Sequence, residues 1–214
     1  MKITKIYHSC ILLEENDAKI LIDPGHWVFE HTDAKPSDFS DVNAVLITHE
    51  HPDHFYPEAL DEIRSSGARI ITNKSLAPKI REKGMKADML NPGEVTDVSG
   101  ISVKAADCPH GILPVPVPEN VGFVIQDKIF HPGDCTTIRG IQCDILITPC
   151  AAPWMRTIEG VKFAKSVRPK IAIPVHEGFM RDSFASRIRD IFEKVVSESR
   201  IEIKAKNPGE SFEI

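Results

Sequence analysis

A chain of 214 residues that is 42% apolar and 27% charged carries enough apolar material for a sizeable core, and reads as one soluble globular domain spanning 1–214. Its formal net charge of −5 argues against a general attraction to nucleic acid or to an anionic membrane surface. No apolar run approaches the ~18 residues of a spanning helix, the first residues lack an apolar leader segment, and five cysteines without a CxxC pair suit a reducing, cytoplasmic setting.

The start predicts β-structure. Lys2–Tyr7 alternates, and Cys10–Leu13 and Lys19–Ile22 are short apolar runs separated by the turn residues Glu15-Asn16-Asp17. His26 and His31 flank a segment with Trp27 and Phe29 that reads as a loop. Val42–Ile47 predicts a strand buried on both faces. Pro57–Ser66 has Ala59, Leu60 and Ile63 at helical spacing. A strand at Arg69–Thr72 precedes a helix around Ser75–Lys83 that Gly84 ends. Strands follow at Glu94–Val98, Ser102–Ala106, Val121–Ile125, Ile129–Phe130 and Asp144–Ile147. Arg156–Val167 predicts a helix, Lys170–Ile173 a strand, Arg181–Ser197 an amphipathic helix, and Ile201–Ile203 a closing strand. This uneven alternation implies a mixed α/β domain with more than one sheet. Ala44-Val-Leu-Ile-Thr-His and Asp144-Ile-Leu-Ile-Thr-Pro are similar strand ends, which fits either two related halves or a coincidence.

Nine histidines is a high count, and three of them fall in the run Thr48-His49-Glu50-His51-Pro52-Asp53-His54. They cannot all be buried in an ordinary core, because each neutral imidazole needs hydrogen-bond partners. His49 and His51 leave the same side of an extended segment. Pro52 ends that segment, and Asp53 and His54 then diverge at a helix start, so one loop can feed two adjacent metal positions. Imidazole with carboxylate suits zinc, iron or manganese. A solvated, His-rich loop is the bland alternative, and an HxHxDH pattern at a strand end disfavours it.

His49-x-His51-x-Asp53-His54 resembles the signature of the metallo-β-lactamase-fold hydrolase superfamily. The superfamily's later landmarks are matched in order by His110 in Asp107-Cys-Pro-His-Gly, Asp134 in His131-Pro-Gly-Asp and His176 in Ile173-Pro-Val-His-Glu-Gly. Asp23 in Leu21-Ile-Asp-Pro-Gly matches its early strand-end aspartate. Tyr7-His-Ser-Cys, Pro153-Trp154 and Arg168-Pro-Lys-Ile-Ala-Ile-Pro-Val-His are similar to the small stand-alone branch that contains L-ascorbate-6-phosphate lactonase-like proteins. The resemblance implies an α/β fold, a four-layer αββα sandwich with the metal site at the sheet edge. It also implies two divalent metal ions, zinc first, with manganese or iron as alternatives. One ion would be held by His49, His51 and His110, the other by Asp53, His54 and His176, with Asp134 bridging. The implied activity is that of a hydrolase whose metal-bridging hydroxide cleaves a small ester, lactone, amide or phosphoester. Asp53 and Asp134 would be its catalytic carboxylates, Asp53 orienting the hydroxide and taking its proton.

Other residues carry two readings each. Asp23 either orients a ligand histidine or only forms a strand-end turn, and His8 either faces the site or is a buried strand histidine. His131 supports the site or the structure, and Trp154 forms a pocket wall or core. Pro114, Pro116 and Pro118 alternate with valines, predicting a stiff extended loop beside the pocket. Cys108 and Cys135 are expected to pack as small apolar residues. Expected partners are a small-molecule substrate, without nucleic acid or membrane, and oligomerisation is left open. The competing functions are a metal-dependent phosphodiesterase or nuclease, a two-iron redox protein, and a non-catalytic metal-binding protein. Acidic charge disfavours the nuclease.

Overall fold

The computed structural model describes residues 1–214, every side chain except that of Ser66 included. The chain opens with an antiparallel meander of β1 (Lys2–Tyr7), β2 (Cys10–Glu15) and β3 (Ala18–Ile22). Its two reversals turn on His8 and Asn16, each with a φ of 53°. β4 (Ala44–Ile47), β5 (Arg69–Thr72) and β6 (Asp88–Met89) then add in parallel. Parallel neighbours need crossovers, and α1 (His26–His31), α2 (Pro57–Ile63) and α3 (Leu76–Glu82) supply them. The second sheet begins with antiparallel β7 (Val95–Val98), β8 (Ile101–Asp107), β9 (Val121–Ile125) and β10 (Ile129–His131). It continues in parallel through β11 (Ile145–Pro149), β12 (Ile171–Val175) and β13 (Glu202–Ile203), crossed over by α4 (Thr157–Val167) and α5 (Asp182–Ser197). β14 (Ser211–Glu213) returns to pair with β1. Among the described residues the two seven-stranded sheets have the orders β14-β1-β2-β3-β4-β5-β6 and β13-β12-β11-β10-β9-β8-β7.

Three apolar clusters define the layers. Ile3, Ile11, Ile20 and Leu46 of the first sheet meet Val103, Phe123, Ile145 and Ile173 of the second. On the other face of the first sheet, Leu21, Val45, Ile47 and Ile70 meet Leu60, Ile63, Leu76 and Ile80 on or beside the helices. On the other face of the second, Phe130, Leu146 and Ala172 meet Val161, Phe163, Phe192 and Val196. Successive residues of a strand face opposite ways, so β4 can be buried at all four positions only because both of its faces are covered. Each such side chain contributes roughly 1.5–3 kcal/mol. The result is the four-layer αββα sandwich. No helix of the described residues is long and apolar enough to cross a membrane.

Two departures from the sequence reading bear on the site. The segment from His26 to His31 is a helix, not a loop. It is anchored where the His26 N–H donates to Pro52 O at 2.9 Å and where Val28 is buried. Gly25 leads into it against the metal-loop backbone, where a Cβ would lie 1.9 Å from Asp53 O. The chain also does not close at Ile203, because β14 follows. That strand and β6 are too short and too exposed to show a hydrophobic period.

The two halves repeat. β1 to β6 pair antiparallel twice and parallel three times, and β8 to β13 do the same. Ile22 sits opposite Leu46 as Phe130 sits opposite Leu146. Asp23-Pro24-Gly25 therefore occupies in one sheet the place of His131-Pro132-Gly133 in the other, and Thr48 that of Thr148.

Candidate metal centre

The residues singled out from the sequence converge from loops along one edge of the sandwich. His49 to His54 follow β4, His110 follows β8, Asp134 follows β10 and His176 follows β12. Their ligand-capable atoms form two groups, each within a mutual 4.8 Å. The first is His49, His51, His110 and Asp134, and the second is Asp53, His54, His176 and His8. Asp134 also reaches across to the second group, with Oδ1 at 3.3 Å from His54 Nε2 and Oδ2 at 3.1 Å from His176 Nε2. Its Oδ2 lies 3.4 Å from His110 Nε2, so one carboxylate touches both groups.

Hydrogen bonds decide which ring nitrogen is left for a metal. Asp23 Oδ1 accepts from the Thr48 N–H and Asp23 Oδ2 from the Thr48 hydroxyl, both at 2.8 Å. With its proton committed there, Thr48 Oγ1 accepts from His49 Nδ1 at 3.0 Å. His54 Nδ1 donates to Asp23 Oδ2 at 2.8 Å, His110 Nδ1 to Gly111 O at 2.6 Å and His176 Nδ1 to Ala151 O at 3.0 Å. Four imidazoles thereby turn Nε2 inward, the arrangement in which an outer oxygen fixes ring direction and leaves Nε2 as the nitrogen for a metal, which would displace any proton there. His51 offers Nδ1 instead, 3.1 Å from His49 Nε2 and 3.2 Å from His110 Nε2.

The electrostatics follow from packing carboxylates among imidazoles away from water. Burial raises the pKa of Asp53, and His54, His8 and His176 outweigh it, holding the group well below the ordinary range. Asp134 is held low in the same way by His176 and His54. For His54, burial favours the neutral ring, but Asp134, Asp23 and Asp53 together raise its pKa. His8 is different. Burial, with His176 beside it, lowers its pKa to about 4.

His54 Nε2, His176 Nε2 and Asp134 Oδ1 are buried without a hydrogen-bond partner among the described residues. Buried polar atoms are ordinarily satisfied, and three orphans within the two groups call for a further partner. Imidazole nitrogens and carboxylate oxygens in these numbers fit a pair of divalent cations.

Asp23 fills both of its sequence roles. It closes the strand-end turn, with a φ of 48°, and it orients His54. His131 belongs to neither group: it accepts from Gly133 N at 3.1 Å and donates to Ser9 O at 3.2 Å, which uses both nitrogens. Trp154 touches the centre directly, its Nε1–H donating to Asp134 Oδ2 at 2.8 Å. Its ring lies 5.8 Å from that of His110 and 6.1 Å from that of His176, while Phe179 lies 6.4 Å from His176 and Trp27 4.8 Å from His8. The Pro-rich loop is exposed, with Ile112 89% accessible. Cys108 and Cys135 are buried in apolar surroundings and in neither metal group, and the hydrogen bond between them pulls the Cys135 thiol down to about 6.

Two supporting residues, Thr48 and Asn120, give no signal of their role in the sequence. Asn120 joins the two loops that carry His110 and Asp134. Its Oδ1 accepts from Asp134 N at 3.2 Å, and its Nδ2 donates to Cys108 O and Pro132 O at 2.8 and 2.9 Å. Neither residue type carries a metal signature, and their roles depend on which loops meet.

The β-lactamase superfamily domain matches residues 2–176. A Mycobacterium tuberculosis protein is 30% identical over 191 residues, covering 84% of this chain and 85% of its own length. A UPF0173 metal-dependent hydrolase of Natranaerobius thermophilus is 29% identical over 230 residues, all of both chains. The solved structure of a metallo hydrolase from Ignicoccus hospitalis superposes with a TM-score of 0.79 at 23% identity, covering 100% of this chain and 98% of that one. The chain therefore belongs to the β-lactamase superfamily, among its metal-dependent hydrolases.

Proposed function

We propose that the chain is a dinuclear hydrolase of small, weakly polar esters or lactones. His49, His51 and His110 would hold one cation, Asp53, His54 and His176 the other, and Asp134 would be shared between them. The observation that carries this is the set of inward-facing nitrogens whose outer partners are already tied to protein oxygens. Zinc suits the donor set, and manganese or iron are the alternatives. When bound, the cations supply Lewis-acid polarisation and activate water at neutral pH. Asp53 is the carboxylate with access to solvent, at 16% side-chain exposure against 2% for Asp134. Its low pKa keeps it ionised, so it can accept a hydrogen bond from the attacking water and orient it, and as the carboxylate open to solvent it is the group to which that water's proton passes. Trp154 holds Asp134 through Oδ2.

The rings of Trp154 and Phe179 beside the ligand histidines, with Trp27 against His8, support an apolar acyl or alkoxy group on the substrate. Lys74 and Lys79 are each paired with a carboxylate, Glu119 and Glu50, which lowers the net positive charge they offer a phosphate. The net charge of −5 disfavours a polyanionic substrate. The experiment is a panel of lactones, aryl esters, thioesters and phosphodiesters, offered to zinc-, manganese- and iron-loaded protein. Turnover is expected on lactones or esters. Fewer than one metal per chain after loading, with no turnover on any member, overturns the enzyme reading; turnover confined to phosphodiesters overturns the substrate class.

Trp154→Phe keeps the aromatic wall and removes only the N–H that holds Asp134. Loss of such an orienting bond weakens metal retention or turnover by about 10-fold or more. Competition with a chromogenic chelator reads this directly, and wild-type retention and turnover would remove Trp154 from the machinery.

A further inference from the structure

We infer that His8 is a positioning residue for Asp53 and not a ligand, although its ring stands within the second group of ligand-capable atoms. The inference rests on the dinuclear reading above. The rule that marks His49, His54, His110 and His176 as ligands excludes His8. In those four, Nδ1–H is donated outward and Nε2 is the nitrogen turned into the site. In His8 the order is reversed. The Gly178 N–H donates to His8 Nδ1 at 3.0 Å, so that nitrogen must be the acceptor. The neutral ring has one proton. It therefore sits on Nε2, which donates to Asp53 Oδ2 at 3.1 Å. Neither nitrogen has a lone pair left to offer a metal.

The surroundings hold the ring in this state. His8 is 1% exposed, its ring 4.2 Å from that of His176 and tilted 49° to it, and edge-on to Trp27 at 4.8 Å. Its carbonyl accepts from His176 N at 3.2 Å. His8 and His176 both have positive φ, 53° and 71°, a conformation non-glycine residues keep only when their surroundings enforce it. The approach of Gly178 requires glycine: a Cβ there would lie 3.0 Å from His8 Nδ1 and 2.7 Å from Tyr7 Cε1. Asp53 is the more exposed of the two carboxylates facing the metals, and so the one with freedom to swing. A bond to Oδ2 fixes its plane and leaves Oδ1 for the reacting water. His8 thus ties the β1–β2 turn and the segment after β12 to the orientation of one carboxylate.

Two measurements test this. Long-range 1H–15N spectra of the wild-type imidazoles should show His8 protonated at Nε2 before zinc is added and after two equivalents. The second test compares His8→Leu with His8→Gln, whose amide N–H reaches close to the place of Nε2. His8→Leu should lower kcat by roughly 10–100-fold, the range for groups that orient ligands, with KM within a few-fold and two zinc ions still bound at saturation. His8→Gln should recover a large part of kcat. Gly178→Ala, which pushes the ring without removing it, should fall between them. Loss of the Nε2 proton on zinc addition, with one zinc fewer in His8→Gln, makes His8 a ligand and overturns the inference. Wild-type kcat in folded His8→Leu overturns it too. Failure of the dinuclear reading would show elsewhere, as full turnover in Asp134→Ala.

Discussion

Asp134→Ala is expected to leave a folded protein that binds at least one metal ion fewer and has lost nearly all turnover. Asp134 touches both groups, at 3.1 Å from His176 Nε2, 3.3 Å from His54 Nε2 and 3.4 Å from His110 Nε2. No other carboxylate among the described residues makes contacts of this kind with both. Without it, two dications a few ångströms apart would face each other unscreened, which at short range is the dominant electrostatic cost. Removing an orienting partner costs up to ~100-fold, so loss of the bridge itself should exceed that. Folding should survive, because Asp134 follows β10 outside the three apolar clusters. Asp134→Asn is the companion variant. It keeps the volume and an acceptor for Trp154 but removes the charge, and should behave like the alanine if charge is what matters. Metal content by atomic emission, circular dichroism and turnover on the best substrate check the result together. Two metals per chain with wild-type turnover in Asp134→Ala would sink the bridging role of Asp134.

How much of this is legible in the sequence depends on whether a role is local. His49, His51, Asp53 and His54 share one loop, so their pattern announces itself, and the structure brings all four to the centre. His110 and His176 sit on separate loops and can be placed only by their order against a known family. The tautomers lie deeper. They depend on Thr48, Asp23, Gly111 and Ala151 meeting the right ring, and nothing in a carbonyl's sequence position says which side chain will face it. His8 shows the limit most clearly, since its partners Asp53 and Gly178 are 45 and 170 residues away. Strands are plain where both faces are apolar, as in β4 and β11, because a short unbroken apolar run bounded by turn residues suits a strand covered on both sides. α1 escapes a sequence reading because its six residues include His26, Glu30 and His31 and bury only Val28. The helix exists because Gly25 and His26 dock on the metal loop, a tertiary cause.

Lys5→Met should be the most destabilising single change outside the centre. Lys5 looks like a solvent-facing strand residue in Lys2-Ile-Thr-Lys-Ile-Tyr, yet it shares the inward face of β1 with Ile3 and is fully buried. Its ammonium donates to Pro174 O at 2.6 Å, Glu177 Oε1 at 2.7 Å and Lys206 O at 3.1 Å, so all three protons are used. Pro174 lies in β12 of the opposite sheet, and Lys5 therefore clamps the two sheets beside His176. Arg189 adds a second bond to Glu177 Oε1 at 2.9 Å. Burial pushes the Glu177 carboxyl up, and Lys5 and Arg189 more than reverse it. Methionine matches the volume of the stem but leaves that carboxylate with one cation instead of two, and Pro174 and Lys206 with acceptors unfilled. Breaking a buried pair in this way costs about 3–5 kcal/mol. For a chain of this length that corresponds to roughly 10 °C in Tm. Because much of that cost is the stranded charge, Lys5→Met with Glu177→Gln should be less destabilising than the sum of the two single changes. Thermal and urea unfolding of the four proteins in the cycle decide it. A loss under ~1 kcal/mol for Lys5→Met, the size of a surface pair, would mean that Lys5 is solvated in solution and that the clamp beside His176 is not holding the two sheets.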